Sequence, residues 1–371
     1  MINTTYYQDL TKMNTFGMKV KARCFMEYDS VADLVDIEFE ELARPVLHIG
    51  GGSNLLFTDD FKGTVLHSKI NFIEILEDCT PSRHCEERSD VAICPNVLVS
   101  VGAGVVFDDF CAWAAKEGLW GVENLSYIPG EVGASAVQNI GAYGVEVKDV
   151  IHKVYCYDTI EEEFVSFGVE ECEYGYRDSI FKDPEVKGRY IVTHVVFALS
   201  RTPQPRLEYG HLRDAVMASS ARHCEEGQSP DVAIFTPSMI RKVIIKLRKE
   251  KLPEPSVMGS AGSFFKNPVI SAEHFARIEA AAKAELGAGC KVPHYDLPDG
   301  TVKVPAAWMI EQCGWKGRRS GGAAVYDKQP LVIVNYTGDA YPEEIVGLER
   351  RIIASVKAKF DIDLHPEVEH I

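Results

Sequence analysis

The chain has 371 residues, enough for two or three domains, and its 46% hydrophobic content is ordinary for a globular protein. Its formal net charge of -16, from 39 Lys and Arg against 55 Asp and Glu, argues against a general nucleic-acid-binding surface. No run approaches the ~18 apolar residues of a membrane span, and the N-terminus lacks the features of a secretory signal. We therefore expect a cytoplasmic protein without nucleic-acid or membrane partners. The ten cysteines form no C-x-x-C pair, so we expect reduced, mostly buried thiols and predict neither a zinc site nor a dithiol redox motif.

The first 120 residues have the pattern of a mixed α/β region. Ser30 is a candidate helix cap, and the apolar residues after it recur at helical spacing, namely Val31, Leu34, Val35, Phe39 and Leu42. Further elements are predicted as strands over 46–49 and 97–101 and as an amphipathic helix over 107–116.

The elements that follow change from strands to helices. Segments 154–157, 164–167 and 190–199 are rich in β-branched and aromatic residues and predict antiparallel strands. Two prolines within 200–205 indicate a boundary. Beyond it we predict a strand over 331–335 and helices over 238–251 with Ser238 as cap, 271–286 with a stop at Gly287, and 343–360. The first of these helices has a charged face that we expect to be largely solvated, formed by Arg241, Lys242, Lys246, Arg248 and Lys249.

One pentapeptide, Arg-His-Cys-Glu-Glu, occurs twice, at 83–87 and 222–226, each time shortly before Asp-Val-Ala-Ile. Two copies do not make a solenoid, which needs adjacent repeats at a fixed period. We interpret them as insertions in surface loops at about 79–95 and 218–236. Imidazole, thiolate and carboxylate are all metal ligands, but adjacent side chains rarely converge on one ion, so no metal site is predicted.

Two glycine-rich segments suggest a cofactor site. The first, Gly50-Gly51-Gly52-Ser53-Asn54, follows the strand over 46–49, and the second spans 128–146. Glycine allows positive φ and close backbone approach, so such loops can direct N–H groups at a phosphate. A turn-rich connection between strands is the alternative for the second segment. Neither segment has the G-x-G-x-x-G pattern with an acidic residue about 20 positions later, so a Rossmann fold is not predicted.

Several further motifs occur in one order along nearly the whole chain: Asn14-Thr15-Phe16-Gly17, Tyr174-Gly175-Tyr176-Arg177-Asp178-Ser179, Gly262-Ser263-Phe264-Phe265-Lys266-Asn267-Pro268, Gly321-Gly322-Ala323-Ala324-Val325 and Pro366-Glu367-Val368. With the two glycine segments, this set resembles the UDP-N-acetylenolpyruvoylglucosamine reductases, flavoenzymes of peptidoglycan synthesis. The resemblance implies an α+β protein with an FAD-binding domain of the vanillyl-alcohol-oxidase-like (PCMH) type. That domain would cover 1–202, and a smaller α+β substrate-binding domain would cover 203–371, with a C-terminal strand returning to the active site.

The same resemblance implies a reaction and its participants. The expected oxidoreductase reduces UDP-N-acetylglucosamine enolpyruvate to UDP-N-acetylmuramate, using NADPH and FAD. It would act as a monomer in cell wall biogenesis, and hence in cell shape and cell division. Hydride addition to the alkene leaves negative charge that spreads into the neighbouring carboxylate, so the site must stabilise that charge and protonate the adjacent carbon.

Three residues take these catalytic roles by resemblance. Arg177 would hold the carboxylate through its planar guanidinium; an ion pair with Asp178 is the alternative. Ser263 would protonate the carbon; alternatively it is a turn or helix-cap serine. Glu367 would donate a hydrogen bond or proton if its pKa is raised; alternatively it is a solvated glutamate.

Binding residues are carried over in the same way. For FAD they are Gly50, Gly51, Gly52, Ser53, Asn54, Ile128, Pro129, Gly130, Ser135, Asn139 and Gly141. For the substrate they are Tyr143, Tyr176, Arg177, Tyr209, Lys251, Asn267 and Gln329. The Tyr209-Gly210-His211-Leu212 block indicates the family branch that closes a tyrosine-bearing loop over substrate.

Two other functions fit parts of the sequence. An FAD-dependent oxidase of the same superfamily would be favoured by covalent flavin on a histidine such as His48. A flavin- or nucleotide-binding protein without turnover is disfavoured, since Arg177, Ser263 and Glu367 are all present.

Overall fold

The computed structural model describes residues 1–78, 97–220 and 235–371. The predicted insertion over 79–95, both copies of the repeated pentapeptide and residues 221–234 of the second predicted insertion lie outside the described residues. The helices are α1 Val31–Val35, α2 Phe107–Lys116, α3 Val132–Gln138, α4 Leu212–Ser220, α5 Pro237–Lys251, α6 Ala272–Leu286, α7 Ala306–Gln312 and α8 Pro342–Phe360. The strands are β1 Asn3–Asp9, β2 Lys21–Tyr28, β3 Val46–Ile49, β4 Leu55–Leu56, β5 Phe61–Ser68, β6 Ile73–Asp78, β7 Val97–Gly102, β8 Gly141–Ala142, β9 Val145–Glu146, β10 Ile151–Asp158, β11 Glu163–Gly168, β12 Tyr190–Leu199, β13 Gly259–Ser260, β14 Val269–Ser271, β15 Tyr295–Asp296, β16 Thr301–Lys303, β17 Arg319–Ser320, β18 Ala323–Val325, β19 Ile333–Asn335 and β20 Glu369–His370.

Contacts divide the chain into two compact units. Unit 1 comprises Met1–Gln8, Ala22–Gly51 and Phe61–Glu250, and unit 2 comprises Asp9–Lys21, Gly52–Asp60 and Lys251–Ile371. This contact-based division differs from the predicted boundary at residue 202. The physical reason is that α4 and α5 share a buried apolar cluster with an earlier part of unit 1, formed by Trp120, Leu207, Leu212, Val216, Ile240, Val243 and Ile244.

A four-stranded sheet in the order β1-β2-β5-β3 carries the first glycine segment of unit 1. Strand β5 is parallel to both of its neighbours, and Ile49 lies opposite His67. Residues 63–68 are all buried, because β5 has a strand on each side. Gly63 is required there, since a Cβ would lie 1.8 Å from the carbonyl oxygen of Pro45. The sheet thus fixes the direction in which the chain leaves β3.

The second sheet of unit 1 has the order β11-β10-β12-β7-β6 and is antiparallel. It confirms the three predicted antiparallel strands and the strand predicted over 97–101. Helix α2, also as predicted, packs on this sheet, and the rings of Phe110 and Phe197 lie 4.6 Å apart. Helical spacing was sufficient for α2, which buries one face, whereas β7 and β12 are buried on both faces and were indicated by their β-branched and aromatic residues.

Three sequence predictions were wrong in detail. Helix α1 ends at Val35, and Phe39 is buried from a turn beyond it, so the apolar spacing outlasts the helix. Helix α5 begins at Pro237, a favoured first helical residue, and Thr236 rather than Ser238 accepts the N–H of Met239, at 3.2 Å. The strand predicted over 331–335 is only β19, because residues 329–332 form a turn.

The second glycine segment contains a helix that the sequence did not predict. Helix α3 has the sequence VGASAVQ, in which the glycine, the serine and the valines are weak helix formers. Its small side chains permit close packing: a Cβ on Gly133 would lie 2.9 Å from Cβ of Ala103. Close tertiary packing therefore overrides weak local propensity.

Unit 2 combines short sheets with the longer helices α6 and α8. Its sheets have the orders β13-β19-β18-β17, β14-β16-β15 and the parallel pair β20-β4. The predicted helices over 271–286 and 343–360 are confirmed as α6, capped by Ser271 and ended at Gly287, and as α8. Within the described ranges, no helix combines the length and apolar composition of a membrane span.

Candidate active site

The two glycine segments meet within unit 1. A Cβ on Gly51 would lie 3.3 Å from Cα of Gly130, and a Cβ on Gly50 would lie 3.1 Å from Cβ of Ala134. Gly130 has a φ of 115°, which disfavours any other residue. The main chain at Gly51 therefore lies close to the main chain at Gly130. We call this junction of Gly50, Gly51 and Gly130 the glycine cradle, and it fits a diphosphate, which must approach the main chain closely.

Other residues predicted to bind FAD in unit 1 have varied environments. Ser135 is buried, and its hydroxyl donates to the carbonyl of Val132 at 2.6 Å. Ile128 and Gly141 are half-buried, whereas Pro129 is exposed. Ser135 thus lies within α3, whereas Ile128 and Pro129 precede the helix in the sequence and Gly141 follows it.

Asn139 has a different position from the one expected of a cofactor ligand. It is completely buried at the end of α3, with left-handed φ and ψ of 47° and 60°. Its amide donates to the carbonyl of Gly175 at 2.7 Å and to the carboxylate of Glu146 at 3.1 Å, and its oxygen accepts the N–H of Lys148 at 3.3 Å. The amide therefore fastens the turn that carries Arg177.

Arg177 lies on that turn with a φ of 56°. Its guanidinium donates to the carbonyl of Gly141 at 2.7 Å and to that of Asn139 at 3.3 Å, and it stacks 5.3 Å from the ring centre of Tyr176. Ser179 secures the other end of the turn by donating to the carbonyl of Val137 at 2.6 Å. The plane of the guanidinium is thus fixed by the backbone that follows α3.

Aromatic residues predicted to bind substrate lie together in unit 1. The rings of Tyr143 and Tyr209 meet edge to face, with centres 6.1 Å apart, and a Cβ on Gly144 would touch Tyr209 at 3.4 Å. Burial raises the pKa of Tyr143, and the positive charge of Arg248 opposes that effect. Tyr209 is 44% exposed.

The expectation of a largely solvated charged face on α5 was wrong for two of its arginines. Arg241 is largely buried and forms a bidentate ion pair with Asp108, at 2.5 and 2.9 Å. Arg248, seven residues later, is half-buried and donates to the carbonyl of Tyr127 at 3.1 Å. Burial lowers the pKa of Arg248, and the charge of Arg177 lowers it further. The seven-residue spacing, which places both arginines on one helix face, was the signal that could have revealed this.

His48, the candidate for a covalent flavin link, is hydrogen-bonded to a tyrosine. Its Nε2 lies 2.6 Å from the hydroxyl of Tyr28. Burial lowers the pKa of His48 to about 4, and the nearby His67 contributes to that shift. The histidine is therefore a neutral hydrogen-bonding partner within unit 1.

In unit 2 the structure brings Ser263 and Glu367 onto paired segments. The N–H of Glu367 donates to the carbonyl of Phe264 at 2.8 Å, and the N–H of Lys266 donates to the carbonyl of His365 at 2.9 Å. Ser263 directly follows Gly262, whose φ is 70°. Both predicted catalytic residues are half-buried. Backbone pairing between residues about a hundred positions apart in the sequence thus fixes the main-chain positions from which the side chains of Ser263 and Glu367 extend.

The rest of the first glycine segment supports that pairing. Asn54 donates from Nδ2 to the carbonyl of Glu367 at 3.0 Å, and its own carbonyl accepts the N–H of Glu369 at 3.0 Å. Gly52 has a φ of 59°, and a Cβ there would lie 1.9 Å from the carbonyl oxygen of Met13. Ser53 is half-buried beside it. Asn54 is therefore bonded to the segment that carries Glu367 and to the start of β20.

The other predicted substrate residues of unit 2 are dispersed. Asn267 accepts the first N–H of α7, from Ala306, at 2.9 Å. Gln329 is half-buried in the turn before β19, where its carbonyl accepts the N–H of Val332 at 3.0 Å. Lys251 is exposed at the end of α5. Among the described residues no group of three or more His, Cys, Asp or Glu side chains is placed to hold a metal ion.

Known proteins match this chain over nearly its whole length. Residues 254–371 match the family described as "UDP-N-acetylenolpyruvoylglucosamine reductase, C-terminal domain", and residues 23–162 match "FAD binding domain". A Bacteroides fragilis protein named UDP-N-acetylenolpyruvoylglucosamine reductase is 48% identical over 363 residues, 98% of each chain. A Porphyromonas gingivalis protein of the same name is 43% identical over 367 residues, 98% of this chain and 97% of that one.

A solved structure is similar over the same extent. The UDP-N-acetylenolpyruvylglucosamine reductase of Thermus caldophilus matches 100% of this chain and 98% of its own, with a TM-score of 0.62 and 22% identity. This similarity confirms the predicted α+β fold with an FAD-binding part.

Proposed function

The chain belongs to the family of UDP-N-acetylenolpyruvoylglucosamine reductases, and on that premise we propose which of its residues perform the reaction. It is a flavin-dependent oxidoreductase that reduces UDP-N-acetylglucosamine enolpyruvate to UDP-N-acetylmuramate in peptidoglycan precursor synthesis. Its cofactors are FAD and NADPH. When bound, FAD supplies the hydride that NADPH has delivered to it. The protein must bind the diphosphates, hold the substrate carboxylate and provide one proton.

FAD binding is assigned to the glycine cradle of unit 1. Gly50, Gly51 and Gly130 leave main chain exposed where a diphosphate requires close approach, and any Cβ would narrow that space. Asn139 is given a positioning role instead, because its amide is bonded to three protein groups.

Arg177 holds the substrate carboxylate in this proposal. A guanidinium presents five N–H donors in one plane, and two backbone carbonyls fix that plane here. Arg248 is a second cation for the anionic parts of the substrate, because burial lowers its pKa and its guanidinium lies close enough to Tyr143 and Arg177 for their charges to interact. An anion near both guanidinium groups would relieve their mutual repulsion. Tyr143 and Tyr209 would cover the same ligand.

Ser263 donates the proton to the carbon next to the carboxylate, and Glu367 supports the charge that develops in the reaction. The observation that carries this assignment is the backbone pairing of residues 264–266 with 365–367, reinforced by Asn54. A serine hydroxyl is a weak acid, so it can act only on a strongly basic carbon held in contact. Preorganised backbone is what such contact requires.

We further propose that the enzyme is a cytoplasmic monomer that binds neither nucleic acid nor membranes. The net charge of -16 supports the first of these exclusions. Size-exclusion chromatography with light scattering tests the oligomeric state. A dimer would contradict the proposal.

An anaerobic visible spectrum tests the function as a whole. The flavin band should bleach on adding NADPH and return on adding the UDP-linked enolpyruvyl sugar. If the band returns only when oxygen is admitted, the oxidase alternative is correct instead. Flavin that remains bound to acid-precipitated protein would also favour the oxidase.

A further inference from the structure

A buried histidine bridges two carboxylates beside the glycine cradle. His67, on β5, is 4% exposed. Its Nδ1 lies 3.0 Å from Oε1 of Glu27, on β2, and its Nε2 lies 3.0 Å from Oε1 of Glu131, which directly precedes α3. These three side chains take no part in the reaction proposed above, although Glu131 lies between Gly130 and α3.

The geometry requires two donors on the imidazole. A neutral imidazole has one N–H and one lone pair, so it can donate to only one of the two carboxylates. With both carboxylates ionised, both contacts are hydrogen bonds only if the ring is an imidazolium. Burial lowers the pKa of His67, but hydrogen bonds and charge from Glu131 and Glu27 outweigh burial and raise it overall.

The other titratable groups that face His67 keep one charge state. His48, on the neighbouring strand β3, has its pKa lowered to about 4 by burial and by the His67 charge, so it stays neutral above that pH. Burial raises the pKa of Tyr28, on β2, so its hydroxyl stays protonated. Deprotonation of His67 therefore leaves the negative charges of Glu27 and Glu131 without a counter-charge in this cluster.

Glu131 is the residue through which the charge of His67 affects the glycine cradle. A Cβ on Gly50 would lie 3.3 Å from Oε2 of Glu131, so this carboxylate lies at the junction of the two glycine segments. A diphosphate bound there would be repelled by an uncompensated carboxylate. Protonated His67 removes most of that repulsion.

We propose that His67 is a positioning residue whose positive charge neutralises Glu131 and thereby sets the affinity of the cradle for FAD as a function of pH. The inference rests on the proposed location of the flavin diphosphate at Gly50, Gly51 and Gly130. Since the pKa of His67 is raised in the folded protein, the favourable contribution to FAD binding is complete below that raised pKa and is lost as the pH rises through it.

The test is a titration of the flavin-free protein with FAD, followed by quenching of flavin fluorescence between about pH 5.5 and 9, a range chosen around the ordinary histidine pKa. We expect the dissociation constant of the natural protein to rise about tenfold across this range, as for one lost charge interaction near a ligand. His67→Gln should bind FAD about tenfold more weakly at low pH and show little pH dependence. The double variant His67→Gln/Glu131→Gln should recover tight binding at every pH, because it removes both charges.

His152→Gln is the matched control, since His152 is an exposed histidine of unit 1, and it should keep the natural pH profile. Should His67→Gln not fold, as judged by circular dichroism, Glu131→Gln alone decides: it should bind FAD tightly at high pH. An unaltered pH profile in His67→Gln or Glu131→Gln, or a double variant as weak as His67→Gln, would overturn the inference. Failure of the natural protein to bind FAD at any pH would overturn the proposed function with it.

Discussion

Arg177 in unit 1 and Glu367 in unit 2 are positioned by opposite means. The Arg177 turn is attached by side chains: Asn139, Ser179 and the guanidinium itself all bond to backbone carbonyls. The Glu367 segment is attached mostly by main-chain pairing, with Asn54 as an addition. Single side-chain substitutions should therefore displace the first residue far more easily than the second, and substitutions at Ser263 or Glu367 should affect chemistry without affecting stability.

The largest effect is expected from Ser263→Ala. Flavin reduction by NADPH should remain normal, while reoxidation by substrate should slow by roughly 10²–10⁴-fold, the range for a lost general acid. Because the pairing of this segment uses main-chain atoms, the free energy of unfolding should not change measurably. Stopped-flow absorbance resolves the two half-reactions. Near-normal reoxidation would remove Ser263 from the proton-transfer step.

Arg177→Lys should break the side-chain attachment while keeping the charge. A lysine ammonium cannot match the planar fork that meets the carbonyls of Asn139 and Gly141. We expect kcat/KM to fall by about 10–100-fold, the equivalent of one lost charged hydrogen bond. Steady-state kinetics with the UDP-linked substrate measures this. Unchanged kcat/KM would mean that charge alone is sufficient at this position.

Substitution of Asn139 and Asn54 tests the contrast between side-chain attachment in unit 1 and main-chain attachment in unit 2. Asn139→Ala removes a fully buried amide and puts alanine in a left-handed conformation, so we expect a loss of about 3 kcal/mol in the free energy of unfolding. Asn54→Ala removes a half-buried amide and should lower it by about 1 kcal/mol. Denaturant titrations provide both values. In Asn139→Gly, which tolerates the left-handed backbone, about 1 kcal/mol of the loss should return.

A stability effect close in size to that of Asn54→Ala is expected at Asp108 and Arg241, which attach α5 to α2 by side chains. Burial alone would raise the pKa of Asp108, but the bond from Arg241 and the N–H of Tyr127 outweigh it and lower the pKa. The pair therefore stabilises the protein above the ordinary pKa of ~3.9, and that contribution is lost as the pH falls through the lowered value. Asp108→Asn should reduce stability by about 1–2 kcal/mol at pH 7 and less at pH 3. Thermal unfolding across this pH range measures the difference; an equal loss at both pH values would show that the charge is irrelevant.

Sequence patterns predicted α2, β7 and the antiparallel strands β10, β11 and β12 well, because α2 has helical apolar spacing and the strands are rich in β-branched and aromatic residues. They missed α3, whose Gly133 and Ala136 are small in order to pack closely rather than to turn. They also grouped Arg248 with a charged face expected to be largely solvated, since a helical wheel cannot show what covers such a face.

The catalytic motifs could be found by resemblance, but their supports could not. Asn139 reaches a carbonyl 36 residues away, and Asn54 reaches one 313 residues away. The spacing of residues along the chain carries no information about such partners. His67 was missed for the same reason, because Glu27 and Glu131 become its neighbours only in the folded sheet.

The pairing of β20 with β4 involves only two residues on each strand, with further bonds from Thr58 to the carbonyl of Ile371. So short a ladder should open at a lower free energy than the rest of unit 2, which is held by the buried face of α8. Amide hydrogens of residues 367–371 should therefore exchange with deuterium well before those of α8. With Glu367 acting as proposed, activity should be lost in mild denaturant while the bulk of the fold persists.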